Sequence, residues 1–167
     1  MSGISYKSGR EPHAKEHRVV FRNVDRKGWD TSIKSYLAEG GYEQWKKALK
    51  MPRQAIIDEV KKAGLRGRGG AGFPCGVKWG FIPPNNTKPV YLICNADESE
   101  PGTFKDRYIL HQDPHQLVEG MAIACFAVGA SLSYIYIREE FPEAAKIVEK
   151  AIAEAHEKGF LGKNIQG

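Results

Sequence analysis

Long apolar runs are missing from this chain. The longest, Met121 to Ala130, has ten residues and is interrupted by Gly129. A membrane-crossing helix needs roughly 18 or more, so no direct membrane insertion is expected. The N-terminus also lacks the apolar core of a secretory signal, and Glu11 and Glu16 come early for an acid-poor transit peptide. Cysteine is scarce. Cys75, Cys94 and Cys125 are odd in number and far apart, which excludes a disulfide framework and a CxxC metal site. A reducing cytoplasm is the expected setting. His111 and His115 are four apart, but Pro114 lies between them and no third ligand is near. They read as helix-cap and surface residues, and no metal site is expected. Internal repeats and low-complexity tracts are absent.

What is present is ordinary for a folded protein. The 167 residues are 41% hydrophobic and 27% charged, the balance of a globular chain. A chain of this size is long enough to bury a real core. The net charge of +5 hides an asymmetry: residues 1–70 carry 16 Lys and Arg against 8 Asp and Glu, and residues 71–167 carry 9 against 12. A basic half suits a phosphorylated ligand, an acidic partner or nucleic acid. Nucleic acid is not expected, because the basic residues lack interleaved aromatics and any recognised binding motif.

Residues 1–28 read as a polar, basic arm with Val19, Val20 and Phe21 as its apolar points. Residues 29–50 read as weakly helical, broken at Gly40-Gly41, with Trp45 and Leu49 on one face. A clearer helix is expected over 52–63, begun by Pro52 and stopped by Gly64. The stretch 65–80 is glycine-rich, and Pro83-Pro84-Asn85-Asn86 signals a turn. Strands are expected at 89–94 and 132–137. Helices are expected at 114–128, capped by Asp113 and deeply buried, and at 142–158. Strand, helix, strand, helix is the order of an α/β fold with a parallel sheet. Two strands make a poor sheet alone. The expectation is a Rossmann-like parallel sheet flanked by helices that is incomplete in this chain. Its organisation is expected to be a basic arm and helix over 1–50 and a partial α/β domain over 51–167.

Three segments carry the chemistry. Gly64 to Gly72 holds five glycines in nine residues, with Arg66 and Arg68 between them. Such a loop lets backbone approach a ligand, its N–H groups can hold phosphate, and arginine adds forked donors. Gly67 to Gly72 matches G-x-G-x-x-G, but the dinucleotide fingerprint follows a strand, and here a helix precedes. Next come Phe73, Lys78, Trp79 and Phe81, where rings could stack on a flat heterocycle or simply fill a core. The third runs from Asn95 to Thr103, directly after a strand, where α/β sheets bind ligands. The expected connection 95–113 is long for a loop, as functional loops are. Asn95, Asp97 and Glu98 offer donors and acceptors to a polar ring edge or a ribitol chain. Glu100 could meet a carboxamide or ribose, and the acids could alternatively bind Mg²⁺. Cys75 and Cys94 read as small packing residues.

The segment Gly64-Leu65-Arg66-Gly67-Arg68-Gly69-Gly70-Ala71-Gly72-Phe73-Pro74-Cys75-Gly76-Val77-Lys78-Trp79 closely resembles the flavin signature of the FMN- and NADH-binding subunits of respiratory complex I. The segment Cys94-Asn95-Ala96-Asp97-Glu98-Ser99-Glu100-Pro101-Gly102-Thr103-Phe104-Lys105-Asp106-Arg107 resembles that family's second signature. Asp113-Pro114-His115 and Gly162-Lys163-Asn164 are similar as well. The resemblance runs from about residue 30 to the end and extends to NAD-linked hydrogenases and formate dehydrogenases. It implies an atypical FMN-binding nucleotide fold and an NADH:quinone oxidoreductase module that passes hydride from NADH to FMN and electrons to iron–sulfur clusters. It implies that Gly67, Arg68, Gly69, Gly70, Lys78, Asn95, Asp97 and Glu98 bind FMN. It further implies that Phe73 and Phe81 stack on the NADH adenine and that Glu100 meets the nicotinamide end. No side chain of the chain is expected to be catalytic, since FMN accepts the hydride. The implied partners are other peripheral-arm subunits, including a 2Fe–2S subunit, at the cytoplasmic face of a bacterial inner membrane. The family's next motif and its cysteine-rich 4Fe–4S domain are not in this sequence, so the cluster ligands are absent and about half an FMN site is expected. The alternatives are a soluble hydrogenase or formate dehydrogenase flavin subunit, and a fragment that only binds.

Overall fold

The computed structural model describes residues 13–83 and 85–165. Expectations resting on residues 1–12, on Pro84 and on residues 166–167 lie outside them. The described chain forms α1 (Ile33–Ala38), α2 (Glu43–Ala48), α3 (Arg53–Lys62), α4 (Cys75–Trp79), β1 (Tyr91–Ala96), α5 (Asp106–Gln112), α6 (Pro114–Val128), β2 (Leu132–Ile137) and α7 (Pro142–Glu157). β1 and β2 pair in a two-stranded parallel sheet, as the α/β order predicts. The chain divides into two compact units. Of the described residues, one unit comprises 13–42, 95–119 and 136–165; the other comprises 43–83, 85–94 and 120–135.

The first unit is organised by α7. Ala144, Val148, Ala151 and Ala155 recur at helical spacing and are all buried, giving the inner stripe an amphipathic helix needs. α5 and α1 pack on it. Ser32 caps α1 by accepting from the Ser35 N–H. The first free N–H of α1, that of Ile33, donates to Glu154 Oε2 of α7 at 2.9 Å, which satisfies an otherwise orphaned donor. After α7, Gly159 adopts a φ of +72°. The Phe160 N–H then turns back to the Ala155 carbonyl at 2.9 Å, the wrap of a Schellman cap. That wrap lays the Phe160 ring on Tyr42, with centroids 4.1 Å apart and 5° between planes.

Tyr42 has a φ of +62°, strained for a side chain of this size. Three anchors hold it: the Phe160 stack, a Tyr42 N–H bond to Glu119 Oε2 at 2.9 Å, and a Tyr42 hydroxyl contact with His115 Nδ1 at 3.0 Å. His115 therefore is not the surface residue its sequence context suggests. It is 1% exposed, and its Nε2 lies 2.9 Å from Glu154 Oε2. The carboxylate only accepts, so Nε2 carries the hydrogen and Nδ1 accepts from Tyr42. Burial lowers the pKa of His115, and Glu154 opposes that shift.

The N-terminal arm is also more than an attachment. Val19 and Val20 are exposed, but Asn23 and Val24 are buried. Trp29 Nε1 donates to the Gln112 carbonyl at the end of α5, at 2.7 Å. The arm thus satisfies a carbonyl that the end of α5 leaves open.

In the second unit, Trp45, Ala48, Ile56 and Ile57 form the core with Ala122, Ala124 and Ala127 of α6. Trp45 meets the Phe126 ring edge-on at 5.9 Å, and the Arg53 guanidinium lies 5.5 Å from the same ring. α6 is not deeply buried all round: Met121, Ile123, Phe126 and Val128 are only partly covered, because the described residues supply packing partners on one side. Tyr91, Ile93, Leu132 and Tyr134 point from the paired strands toward solvent. No helix of the described residues is long and apolar enough to cross a membrane.

Candidate functional site

The glycine segment belongs to the second unit. It does not follow a strand. It leaves α3 and closes on itself before α4. The Cys75 N–H donates to the Leu65 carbonyl at 2.8 Å, and the Gly67 N–H donates to the Phe73 carbonyl at 3.0 Å. Arg66 and Pro74 form an antiparallel bridge between these bonds. Arg66 Nη1 donates to the Gly72 carbonyl at 3.0 Å, so this arginine is committed to holding the loop. Gly67 to Phe73 is left as a stapled tip. A Cβ built on Gly69 or Gly70 meets nothing within 4 Å, so the tip's backbone stands open to a ligand. Arg68 is exposed on that tip, and Lys78 is exposed on α4. Neither forms an ion pair among the described residues. Open backbone at the tip, with two cations in the same segment that form no ion pair among the described residues, offers donors of the kind a phosphate takes.

The helix α4 was not legible in the glycine-rich sequence. It is one turn long, and its Pro74 cap makes no side-chain bond. Immediately after it, Phe81 lies beside Phe73, with ring centroids 5.8 Å apart. Both residues are exposed, Phe81 at 66% and Phe73 at 48%. They are therefore not core residues, and they offer an aromatic surface to a heterocycle.

The acidic segment belongs to the first unit. It begins at the carboxyl end of β1. Asn95 Oδ1 accepts from the Asp97 N–H at 3.0 Å, and Asp97 Oδ1 accepts from the Ser99 hydroxyl at 2.5 Å. Asn95, Ser99 and Glu100 are exposed and Asp97 is half-buried. Glu98 is different, with a side chain 1% exposed. Its Oε1 accepts from the Lys105 and Asp106 N–H groups, both at 2.7 Å. Its Oε2 accepts from the Arg107 N–H at 3.3 Å and from Arg107 Nε at 2.8 Å. Four bonds fill the acceptor capacity of a carboxylate. Burial pushes the Glu98 carboxyl up, but Arg107 and the three N–H groups together hold it below its ordinary value.

The segment is tied down further by residues that sequence reasoning left without a role. Arg107 Nη2 donates to the Thr103 carbonyl at 2.9 Å, and Arg138 Nη1, just past β2, donates to the Glu98 carbonyl at 2.8 Å. Both guanidiniums lie against Phe141, 4.9 and 5.3 Å from its ring centre. The expected loop 95–113 consequently contains α5, whose first N–H groups are those Glu98 accepts. Among the described residues, no cluster of three metal-ligating side chains occurs.

Of the residues singled out from sequence, Gly67, Arg68, Gly69, Gly70, Phe73, Lys78 and Phe81 fall in one unit. Asn95, Asp97, Glu98 and Glu100 fall in the other. Within each unit the structure gathers them on one short stretch of backbone.

The chain is similar to known proteins over most of its length. Residues 60–166 match the model of the family described as Nuo51 FMN-binding domain. The second F subunit of the NADH-quinone oxidoreductase of Rhizobium meliloti (strain 1021) is 53% identical over 150 residues, covering 89% of this chain and 35% of that protein. The corresponding NADH-quinone oxidoreductase protein of Aquifex aeolicus (strain VF5) is 59% identical over 136 residues, covering 81% of this chain and 32% of that protein. The chain thus spans about a third of the length of these curated relatives. Among solved structures, a NAD+-reducing [NiFe]-hydrogenase in the H2-reduced state aligns with a TM-score of 0.62 and 38% identity, over 79% of this chain and 24% of that one. The two glycine- and acid-bearing segments both lie within the matched residues, and this chain belongs to the Nuo51 FMN-binding domain family.

Proposed function

We propose that this chain is the flavin-binding part of an NADH:quinone oxidoreductase. The observation that carries the reading is the stapled glycine tip, with open backbone at Gly69 and Gly70 and free cations at Arg68 and Lys78. It suits the phosphate end of FMN. Asn95 and Asp97 suit the polar edge of FMN. Glu98 belongs to the same FMN-binding set; its acceptors are filled by Lys105, Asp106 and Arg107, so it would serve FMN by fixing the loop that follows the two residues. The exposed Phe73–Phe81 pair suits the adenine of NADH, and Glu100 suits the nicotinamide end.

Bound FMN supplies a hydride acceptor and a means of releasing electrons singly. The chain's own residues bind and orient. Gly67, Gly69 and Gly70 leave room for close backbone approach. Arg68 and Lys78 neutralise phosphate charge. The two rings hold the dinucleotide by stacking, and none of these groups needs to move a proton.

Relatives that are single subunits of NADH-quinone oxidoreductases imply that other subunits surround this protein. A 2Fe–2S subunit is the proposed electron-accepting neighbour, and a 4Fe–4S cluster is proposed in the remainder of the longer protein. The proposed place is peripheral, on the cytoplasmic face of a bacterial inner membrane. We further assign residues 1–50 as a basic docking arm with its helix and 51–167 as the FMN- and NADH-binding part. A hydrogenase flavin subunit is the second reading. The higher identity to the quinone oxidoreductase relatives, 53% and 59% against 38% and 39%, favours the first. Anaerobic addition of NADH to the flavin-loaded full-length protein tests the reading. Bleaching of the flavin absorbance supports it, and an unchanged spectrum refutes it.

A further inference from the structure

Lys78 reaches its place through a residue that touches no ligand. α4 lies directly on α3, and Gly76 is the buried point of contact. A Cβ built on Gly76 would sit 2.6 Å from the Lys61 backbone nitrogen, 2.7 Å from Lys61 Cγ and 3.0 Å from the Ile57 carbonyl oxygen. Two of these three neighbours are backbone atoms of α3, held in that helix's own ladder. They cannot rotate away as a side-chain tip could, so any other residue at position 76 forces the two helices apart.

The rest of α4 is tied at its ends. Its first residue donates to the Leu65 carbonyl at 2.8 Å. Its cap residue Gly80 returns N–H bonds to the Gly76 and Val77 carbonyls at 3.3 and 3.1 Å. The Lys61 side chain runs beside it, from Cγ near Gly76 to Nζ, 3.8 Å from where a Cβ on Gly80 would lie. With its ends tied in this way, α4 lies as close to α3 as the missing side chain of Gly76 allows. Lys78 stands two residues on, roughly 200° around the helix. It therefore points away from α3 and is exposed. A shift of α4 off α3 moves the Lys78 ammonium by the same displacement.

We propose that Gly76 is a positioning residue for the phosphate of the flavin: by letting α4 rest on the backbone of α3, it aims Lys78 at that phosphate. The proposal rests on the flavin reading above. It predicts an effect confined to the phosphate end, which a general loss of structure would not produce.

The test measures affinity for FMN and for riboflavin, which lacks the phosphate, in the full-length protein. The variants are Gly76→Ala, Lys78→Gln and the two combined. Gly76→Ala is expected to weaken FMN binding about tenfold to a hundredfold, the scale of a charge-assisted bond, and to leave riboflavin binding unchanged. The combined variant is expected to be no worse than Lys78→Gln alone, because both changes remove one interaction. Equal losses for both flavins, additive losses, or no loss of FMN affinity in Gly76→Ala overturn the proposal.

Gly76→Ala can fail to fold, so a second variant keeps the glycine. The exchange Val77→Lys with Lys78→Val preserves Gly76 and the net charge but turns the ammonium by roughly 100°. Val77 is already 39% exposed, so the helix accepts a lysine there. This exchange is expected to lose as much FMN affinity as Lys78→Gln. Retained affinity would show that nearby charge suffices and aim does not matter. A wild-type protein that takes up neither flavin overturns the flavin reading, and the Gly76 assignment with it. A wild type that prefers FMN, with a Gly76→Ala variant that prefers it equally, overturns the Gly76 assignment alone.

Discussion

Asn23 Nδ2 donates to Asp113 Oδ2 at 2.9 Å, while Asn23 Oδ1 and Asp113 Oδ1 have no partner among the described residues. Both side chains are about fully enclosed, with 1% exposure each. Two buried acceptors without a donor are costly. A proton on Asp113 supplies the missing donor, and an acid and an amide can then form two bonds in place of one. Burial, the largest influence, pushes the Asp113 carboxyl up to about 6. Asn23, the Gln116 N–H and Arg22 pull it down, and Glu119 adds to the rise.

The raised value gives a signed pH dependence. The unfolded carboxyl titrates near 3.9, so the contribution of Asp113 to stability is full below that pH and is lost as pH rises through about 6. Asp113→Asn removes the charge that must be buried at neutral pH. Denaturant titrations of wild type and variant at pH 7.5 should show the variant more stable by about 3 kcal/mol or less. At pH 4.5 the difference should shrink toward zero. His115, whose pKa is lowered by burial, acts with the opposite sign in both proteins, so the comparison isolates Asp113. A difference that does not change with pH would refute the account of this pair.

The Tyr42–His115–Glu154 chain makes a second prediction. Tyr42→Phe keeps the stack on Phe160 and removes the hydroxyl that His115 Nδ1 accepts. The buried ring nitrogen is then orphaned, at a cost of about 1–3 kcal/mol. Tyr42→Ala also removes the ring and opens a cavity, for about 3–5 kcal/mol. Thermal melts of both variants should rank them in that order. Equal stability of wild type and Tyr42→Phe would mean that the hydroxyl contact contributes nothing.

Glu98→Gln probes the acidic segment. The amide nitrogen cannot accept, so at least one of the N–H groups of Lys105, Asp106 and Arg107 loses its partner, and Arg107 loses its counter-charge. Breaking a buried pair of this kind costs about 3 kcal/mol or more. Hydrogen exchange at those three amides should quicken in the variant without any flavin present. The lowered carboxyl also fixes a sign: its contribution is present above its unfolded value of about 4.3 and is lost as pH falls through the folded one. Unchanged exchange at the three amides would assign Glu98 to a role outside the loop's own architecture.

The elements that could be read from sequence are those whose signals are local. The helix at 114–128 has a proline at its first position, an aspartate before it and a glycine after it, and it appears where those residues put it. The strand Leu132–Ile137 and the helix from Pro142 follow the same logic. The first strand is displaced, running over Tyr91–Ala96 and not over 89–94. The two short helices were hidden because distant atoms make them. α5 exists where Glu98 collects its first N–H groups, and α4 exists where Gly76 meets Lys61. The burial of His115 depends on Tyr42 and Glu154, 73 and 39 residues away, and no local pattern announces it. At the candidate site, the glycine segment and its neighbouring rings stand out in the sequence, but only the fold decides that Phe73 and Phe81 lie exposed and beside one another. The difference between Glu98 and its neighbours Asn95 and Asp97 was not legible, because three polar residues within four positions look alike until the backbone decides which one turns inward.

Equilibrium dialysis of the full-length protein against FMN asks whether this chain helps to bind FMN. Saturable uptake of one FMN per chain is expected, with affinity reduced by Lys78→Gln or by Asp97→Ala. A folded protein that retains no FMN would contradict the flavin reading, as would uptake that is indifferent to both substitutions.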